Sequence, residues 1–327
     1  MATSLRARVV YCVDRPPIDG GFVTIDRQRI VAVGTEAEAG VEVRDLGDVA
    51  LLPAFVNAHT HLEFSHLEQP LGRPGMRLID WLPLAIAERQ NRGQAVADSI
   101  AAGRNESLAA GTCAIGEIAT ADASAYANPR GADNPVRPKS DGQDCPSHVS
   151  QLDLTLLLEV IGFSRARAAS ALQAFEERFN AFYKSHVTGI SPHAPYTVSP
   201  SLLRMLVLFA QRHDLPVAMH IAESEEELQL LESGSGPFQE LLEARSMWDP
   251  TAIPAGTRPL TYLRMLADAP RALVIHGNYL DHEEYRFLAE HADRMSLVFC
   301  PRTHAYFGHP PYPLAALLRG GVRVALG

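Results

Sequence analysis

The sequence predicts an α/β protein, with a (β/α)8 barrel of the TIM type preceded by a small β-sheet region. Three observations support this fold class. Short runs rich in Val, Ile and Leu recur eight times from residue 51 onwards, amphipathic helical segments lie between them, and polar residues, mainly histidines, end several of the runs. Near-continuous apolar strands separated by helices are typical of parallel strands covered by helices. In such a barrel the chemistry lies at the carboxyl ends of the strands.

Residues 1–50 form a first region of short strands and turns. Apolar stretches at 8–13, 22–25 and 30–33 are separated by Pro16-Pro17, by Gly20-Gly21 and by a polar reversal at 26–29. Such stretches predict hairpins. A sheet of this size is not stable alone, so we expect it to pack on something larger or to be completed by other strands. The predicted domains are therefore residues 1–50 and residues 51–327.

From residue 51 the pattern predicts alternating strands and helices. The predicted strands are 51–59, 112–118, 152–160, 187–191, 216–220, 272–276, 295–299 and 322–326. The predicted helical segments include 81–110, 164–183, 200–213 and 282–291. Residues 121–150, rich in Ala, Asn, Pro, Gly, Asp and Ser, predict a long mobile loop after the second strand, and 300–313 predict a Pro-rich loop over the barrel mouth.

Composition argues against several classes of function. Acidic residues outnumber basic ones, 38 to 29, giving a net charge of -9, and no cluster of Lys and Arg forms a surface for phosphates. The four cysteines are far apart and form no C-x-x-C motif. No apolar run approaches the ~20 residues needed to span a bilayer. We expect a cytoplasmic protein with a small-molecule substrate and neither a nucleic-acid nor a membrane partner; a homo-oligomer is left open.

The first predicted barrel strand ends in His59-Thr60-His61. Alternate side chains of a strand share a face, so His59 and His61 can converge on one metal ion. Imidazole is the commonest metal ligand in proteins. The alternative is a pair of hydrogen-bonded histidines, and the ends of later strands must decide between the two.

Later strands supply more such groups. The fourth leads to His193, the fifth ends in His220 with Glu223 close behind, and the sixth ends in His276. The carboxyl ends of all strands of a barrel meet at one face. We therefore expect the five histidines of these four strands to gather there, with the carboxylates of Glu63 and Glu223.

These motifs, taken in order, resemble those of the amidohydrolase superfamily. The segments that carry the resemblance are Asn57–Glu63, Ser191–Tyr196, His220–Glu223, Val274–Asn278 and Cys300–Arg302. They are similar to those of the mononuclear aminohydrolases of cytosine, guanine, nucleosides and aminodeoxyfutalosine, and of the triazine chlorohydrolases. The resemblance runs from about residue 5 to the end. It implies a barrel beside a small β-sandwich built from both termini.

The resemblance also implies roles for single residues. It implies His59, His61 and His220 as metal ligands, Glu223 as the proton-shuttling acid, His276 as the residue that holds the metal-bound water, and His193 as a substrate contact. A zinc or iron ion lowers the pKa of bound water to ~7, so that hydroxide can attack a ring carbon bearing an amino group. Glu223 would then pass the water proton to a ring nitrogen. His276 would act as a second base or would stabilise the intermediate.

Further residues complete the predicted site. Binuclear members of the superfamily carry a carboxylated lysine at the end of strand four, whereas residues 187–193 contain no lysine. We therefore expect one divalent ion, zinc or iron.

Glu63 and Glu159 are candidate substrate contacts, although surface or core hydrogen bonding explains them equally well, and Glu117 is a similar candidate.

The end of the chain departs from the pattern of the family. There, the eighth strand continues past a glycine like Gly327 into Thr-Asp-Ser, whose Asp is a further metal ligand. We expect the C-terminal part to be missing from this chain. Either the parent protein is longer, or the molecule has an incomplete site. The hypothesis at this stage is that the 327-residue chain by itself is metal-poor and inactive.

The function predicted is hydrolysis of a non-peptide C–N bond, by deamination of an amino-substituted heterocycle or nucleoside-like compound. The first substrate to test, on resemblance alone, is aminodeoxyfutalosine. Two alternatives stay open at this point. One is a chlorohydrolase or cyclic-amide hydrolase with the same type of site, and the other is a catalytically silent barrel that lacks the final Asp.

Overall fold

The computed structural model describes residues 2–27, 29–91, 96–127 and 152–327. The chain divides into two compact units, Met1–Phe55 and Val56–Gly327. Most of the predicted mobile loop at 121–150 lies outside the described residues. Within the described part of that segment, Ala123–Tyr126 forms a short helix.

The first unit contains two small sheets. Its strands are β1 (Thr3–Arg6), β2 (Val9–Val10), β3 (Ile18–Asp19), β4 (Phe22–Asp26), β5 (Arg29–Gly34), β6 (Glu42–Asp45) and β7 (Ala50–Leu51). The sheets have the strand orders β5-β4-β1-β6 and β3-β2-β7. Ala7, Val10 and Val23 form a small buried cluster. Small β-sheets ahead of the barrel therefore agree with the prediction.

The second unit is built on an eight-stranded sheet whose strand order follows the sequence. Its strands are β8 (Phe55–Thr60), β9 (Thr112–Ala119), β10 (Asp153–Val160), β11 (Val187–Pro192), β12 (Pro216–Ile221), β13 (Arg271–His276), β14 (Met295–Phe299) and β15 (Val324–Leu326). The pairs from β9 to β15 are parallel. The predicted (β/α)8 barrel is confirmed.

Glycines mark two close approaches around the barrel. An added Cβ at Gly116 of β9 would lie 2.5 Å from the carbonyl oxygen of Ala58 in β8, so only glycine fits there. An added Cβ at Gly327 would lie 3.0 Å from the Cβ of His59. The carboxyl end of β15 therefore lies beside that of β8, and the sheet curls into a nearly closed barrel.

Helices connect the strands. They are α1 (Leu78–Asn91), α2 (Val96–Ala109), α3 (Ala123–Tyr126), α4 (Arg165–Phe182), α5 (Pro200–His213), α6 (Glu225–Ser233), α7 (Pro237–Ala244), α8 (Pro259–Leu266), α9 (His282–Glu290), α10 (Pro301–Phe307) and α11 (Leu314–Arg319). Helix α5 is typical: Leu202, Leu203 and Leu206 are fully buried, and Ser199 caps its first turn. Among the described helices, none is both long and apolar enough to cross a membrane.

Some boundaries differ from the prediction. The apolar run 51–59 is divided: Leu51 pairs in a small sheet, and the barrel strand begins at Phe55. Pro53, which lacks an N–H for a ladder hydrogen bond, lies between the two strands. The segment 300–313, predicted as a loop, contains α10, which begins with a proline, a residue well suited to the first turn of a helix.

Candidate active site

Three histidines meet at the carboxyl ends of three barrel strands. They are His59 of β8, His220 of β12 and His276 of β13, each less than 10% exposed. Each offers a ring nitrogen, and these three atoms all lie within 4.8 Å of one another. Such a group of buried imidazoles is suited to hold one metal ion.

Two further histidines border this group. The ring centroid of His61 lies 4.9 Å from that of His59 and 5.7 Å from that of His220. The ring centroid of His193, which follows β11, lies 5.1 Å from that of His220. All five predicted histidines therefore gather at one place. The three whose ring nitrogens lie within 4.8 Å of one another, called the tight group below, include His276 rather than His61.

The rings are held in their neutral form. Burial lowers the pKa of His59, His61 and His276 well below the ordinary value, and nearby imidazoles lower it further. The pKa of His193 and that of His220 fall to about 3, mainly through burial. A neutral imidazole carries the lone pair that a metal ion requires.

Hydrogen bonds orient these donors. Nδ1 of His220 lies 2.7 Å from the carbonyl oxygen of His193 and donates to it, which leaves the lone pair on Nε2 for a ligand. Among the residues described, the buried Nδ1 atoms of His59 and His61 have no hydrogen-bond partner. Unpartnered buried nitrogens are costly unless something else satisfies them. The donor set therefore fits a divalent metal ion.

Glu223 is the carboxylate of the cluster. Its Oε1 lies 3.3 Å from Nε2 of His276, and its side chain is almost fully buried. Burial, and then the neighbouring Glu227, raise the pKa of Glu223 to about 8. A buried carboxyl group beside such histidines can exchange protons with a molecule bound in the site.

A second buried glutamate holds the backbone under Glu223. The two carboxylate oxygens of Glu227 accept the N–H groups of Ala222, at 2.8 Å, and of Glu223, at 3.1 Å. Burial raises the pKa of Glu227 to about 7. We call residues 220–223, at the end of the fifth barrel strand (β12), together with this carboxylate, the strand-five corner.

A comparable arrangement supports the first strand. Glu117 of β9 accepts the Leu62 N–H with both oxygens, at 3.0 and 3.1 Å, and the Thr60 hydroxyl at 2.7 Å. Glu117 is fully buried, and burial raises its pKa to about 8. We call residues 59–63, at the end of the first barrel strand (β8), the strand-one corner. Glu117, ranked low in the sequence, thus supports the loop that carries His61.

The predicted substrate contacts Glu63 and Glu159 lie on either side of an arginine. The Arg89 guanidinium lies 2.8 Å from Glu63 and 3.5 Å from Glu159. Glu63 is fully buried and also accepts the hydroxyl of Thr120 at 2.6 Å. Of these three charged groups, Arg89 lines the cavity next to the histidines.

That cavity has a volume of about 870 Å³. All five clustered histidines line it, together with Glu223. Its remaining walls are largely apolar and aromatic, and include Phe64, Trp81, Tyr196, Phe238, Met247 and Phe307. The size and composition are those of a small-molecule site.

Sequence reasoning missed three residues of this region. A signal for Glu227 was present, since Ser224 and Glu227 have the spacing of a helix capping box directly after Glu223. No local pattern indicated Arg89 or Thr60, because their partners lie far away in the sequence.

The fold and the site define a class of protein: a (β/α)8 barrel whose strand ends carry a histidine cluster suited to one divalent ion. The model of the amidohydrolase family matches residues 50–327, and the chain belongs to that family.

Curated relatives are similar to this chain over most of its length. A 5-methylthioadenosine/S-adenosylhomocysteine deaminase of Bacillus cytotoxicus is 27% identical over 319 residues, covering 94% of this chain and 65% of the relative. An aminodeoxyfutalosine deaminase of Deinococcus radiodurans is 27% identical over 298 residues, covering 85% of this chain and 63% of the relative. The chain thus spans just under two thirds of the length of these relatives.

A solved structure shares the fold. Aminofutalosine deaminase of Helicobacter pylori, in complex with methylthio-coformycin, superimposes with a TM-score of 0.79 at 19% identity. The match covers 99% of this chain and 76% of the other.

Proposed function

We propose that this chain forms the catalytic barrel of a metal-dependent aminohydrolase that deaminates an amino-substituted heterocycle or nucleoside-like compound. The observation that carries the proposal is the buried histidine cluster with Glu223 at 3.3 Å from His276. Similarity to deaminases acting on 5-methylthioadenosine, S-adenosylhomocysteine and aminodeoxyfutalosine supports the same type of substrate.

The proposed ligands are His59, His61 and His220. His59 and His220 belong to the tight group, and the buried Nδ1 of His61 has no hydrogen-bond partner among the described residues. His276 is less suited as the third ligand because its Nε2 already lies beside Glu223. Imidazole ligands suit zinc and iron alike. A divalent ion bound there would supply Lewis acidity that lets water act as a nucleophile at neutral pH.

Glu223 is the proposed proton carrier. In the reaction the oxygen of water bonds to the ring carbon, the bond from that carbon to the amino nitrogen breaks, and the amino group leaves as ammonia. Glu223 accepts a proton from the attacking water and delivers it to a ring nitrogen. The second water proton, now on the new hydroxyl group, passes to the amino nitrogen, so that NH3 leaves as the carbonyl group forms. The imidazole of His276 lies next to that carboxylate and stabilises the charge that develops.

The cavity supports a substrate of nucleoside size. A volume of about 870 Å³ suffices for a purine with its sugar, and the aromatic walls suit a flat ring. His193 faces this space; its Nδ1 lies 2.8 Å from the Thr197 hydroxyl, which leaves Nε2 for the substrate. Glu63 and Glu159 would act on the substrate by way of Arg89, which they hold at the cavity wall. An oligomer and a cytoplasmic location stay predictions.

Glu223→Gln tests the proposal in the full-length protein. We expect the variant to bind metal as the wild type does and to release ammonia from 5-methylthioadenosine or aminodeoxyfutalosine ~10²-fold more slowly or worse, the usual contribution of a general acid or base. Wild-type turnover in the variant would contradict the proton-carrier role. Chloride release from a chlorotriazine, with no ammonia released from either nucleoside, would instead support a chlorohydrolase.

A further inference from the structure

We infer that Glu227 is a positioning residue for the proposed deamination: its carboxylate holds the backbone of residues 222 and 223 in the conformation that directs Glu223 towards His276. The inference rests on the proposed function, since it assigns to Glu227 the placement of the proton carrier. Glu227 does not line the cavity. Its carboxylate accepts hydrogen bonds from the backbone of residues 222 and 223, not from the proposed metal ligands.

The backbone under Glu223 is unusual. Ala222 has a φ of 51°, in the left-handed region that residues with a Cβ rarely adopt. Left to itself, an alanine would leave this region, because its Cβ crowds the backbone there. The conformation therefore depends on contacts that hold it.

Glu227 provides those contacts from the first turn of α6. Both of its oxygens accept backbone N–H groups, one from Ala222 and one from Glu223. Its side chain is fully buried, so no water competes for these bonds. In an ordinary capping box the glutamate binds the N–H of the capping residue, here Ser224; in this chain it reaches one and two residues further back.

The adjoining strand end completes the arrangement. The Ala222 carbonyl accepts the N–H of Tyr279 at 3.1 Å, and the Glu223 carbonyl accepts the side-chain amide of Asn278 at 3.1 Å. His276 itself has a φ of 69°. Two residues in the left-handed region thus lie at the ends of the neighbouring strands β12 and β13, where Oε1 of Glu223 lies 3.3 Å from Nε2 of His276.

The main test replaces Glu227 by Gln in the full-length, metal-loaded protein. A glutamine offers one oxygen where the carboxylate offers two, so one backbone N–H loses its acceptor. We expect kcat on 5-methylthioadenosine to fall by about 10- to 100-fold, since misplacing a reacting group by about 1 Å can have such an effect, while KM and bound metal change little. Amide hydrogen exchange at residues 222 and 223 should become faster. Wild-type kcat with unchanged exchange would overturn the inference.

A second substitution separates positioning from general damage. Glycine adopts the left-handed region without steric cost. Ala222→Gly placed in the Glu227→Gln background should therefore recover part of the lost kcat. An identical kcat in the single and double variants would show that Glu227 does not act through residue 222 and would overturn the inference.

The chain offers a matched control. Glu284 is also buried and also accepts two backbone N–H groups, from Leu260 at 3.1 Å and Asp281 at 2.8 Å, in the capping box of α9. Glu284→Gln should lower stability without the selective loss of kcat, and an equal loss there would overturn the inference. If Glu227→Gln does not fold, Glu227→Asp replaces it, with the same expected loss of kcat and the same overturning result.

The outcome for Glu223→Gln distinguishes the two proposals. If Glu223→Gln is inactive and Glu227→Gln has wild-type kcat, the positioning role alone fails. If Glu223→Gln is itself active, the proposed function fails in its assignment of the proton carrier.

Discussion

The two corners of the site are supported in different ways. In the strand-one corner, Glu117 comes from the neighbouring strand and accepts one backbone N–H and one hydroxyl. In the strand-five corner, Glu227 comes from the helix that follows directly and accepts two backbone N–H groups. The first support joins residues 55 positions apart, and the second joins residues four and five apart. A buried carboxylate thus supports the backbone at each strand end. Its contact is between residues distant in the sequence at the first corner and close in the sequence at the second.

The largest expected effect is loss of the metal ion, because each corner supplies one of the proposed metal ligands. His59→Ala and His220→Ala should each reduce bound zinc or iron from about one per chain to near none, because a site of three ligands loses most of its affinity with one of them. Metal analysis of the purified full-length variants checks this, with ammonia release as a second readout. Full metal content in either variant would remove that corner from the metal site.

A second pair of variants sharpens the assignment of the third ligand. His61→Ala should lose the ion, whereas His276→Ala should keep it and lose turnover, because Nε2 of His276 lies beside Glu223. The same metal analysis decides. Loss of metal from His276→Ala with retention in His61→Ala would exchange the two roles and would place the ion in the tight group of three.

Glu117→Gln probes the support of the strand-one corner. We expect metal affinity to fall by about 10- to 100-fold, the usual effect of removing a partner that orients a ligand. Competition with a chelator measures the affinity, and Glu284→Gln again serves as the control with a buried glutamate away from the cluster. Unchanged affinity in Glu117→Gln would mean that the corner keeps its geometry without this carboxylate.

The smallest expected effect comes from Thr60→Val. This change removes the hydroxyl that donates to Glu117 at 2.7 Å and leaves the contact to the Leu62 N–H in place. Loss of one hydrogen bond of about 0.5–1.5 kcal/mol predicts a loss of about two- to tenfold in metal affinity. A loss as large as that of Glu117→Gln would show that the hydroxyl, rather than the backbone contact, carries the support.

Much of the barrel was readable from local pattern. Helix α5 was predicted at its observed bounds, 200–213, from the apolar face that runs along it, and in the structure a serine cap and a proline open it. The boundary at Leu51 was wrong, because a continuous apolar run does not reveal that its first residues pair with Val10 in another sheet. The structure contains α10 where a loop was expected. The loop prediction was wrong because a short helix leaves almost no periodic signal.

The sequence by itself determined which strands end in histidines and therefore that His59, His61, His193, His220 and His276 would share one face of a barrel. It also carried the local spacing of Ser224 and Glu227. Only the tertiary structure decided that Glu117 lies under Leu62, that Arg89 lies between Glu63 and Glu159, and that Gly327 lies against His59. The physical reason is that periodicity and capping act over a few residues, whereas these contacts arise only when the sheet curls and brings distant strands together.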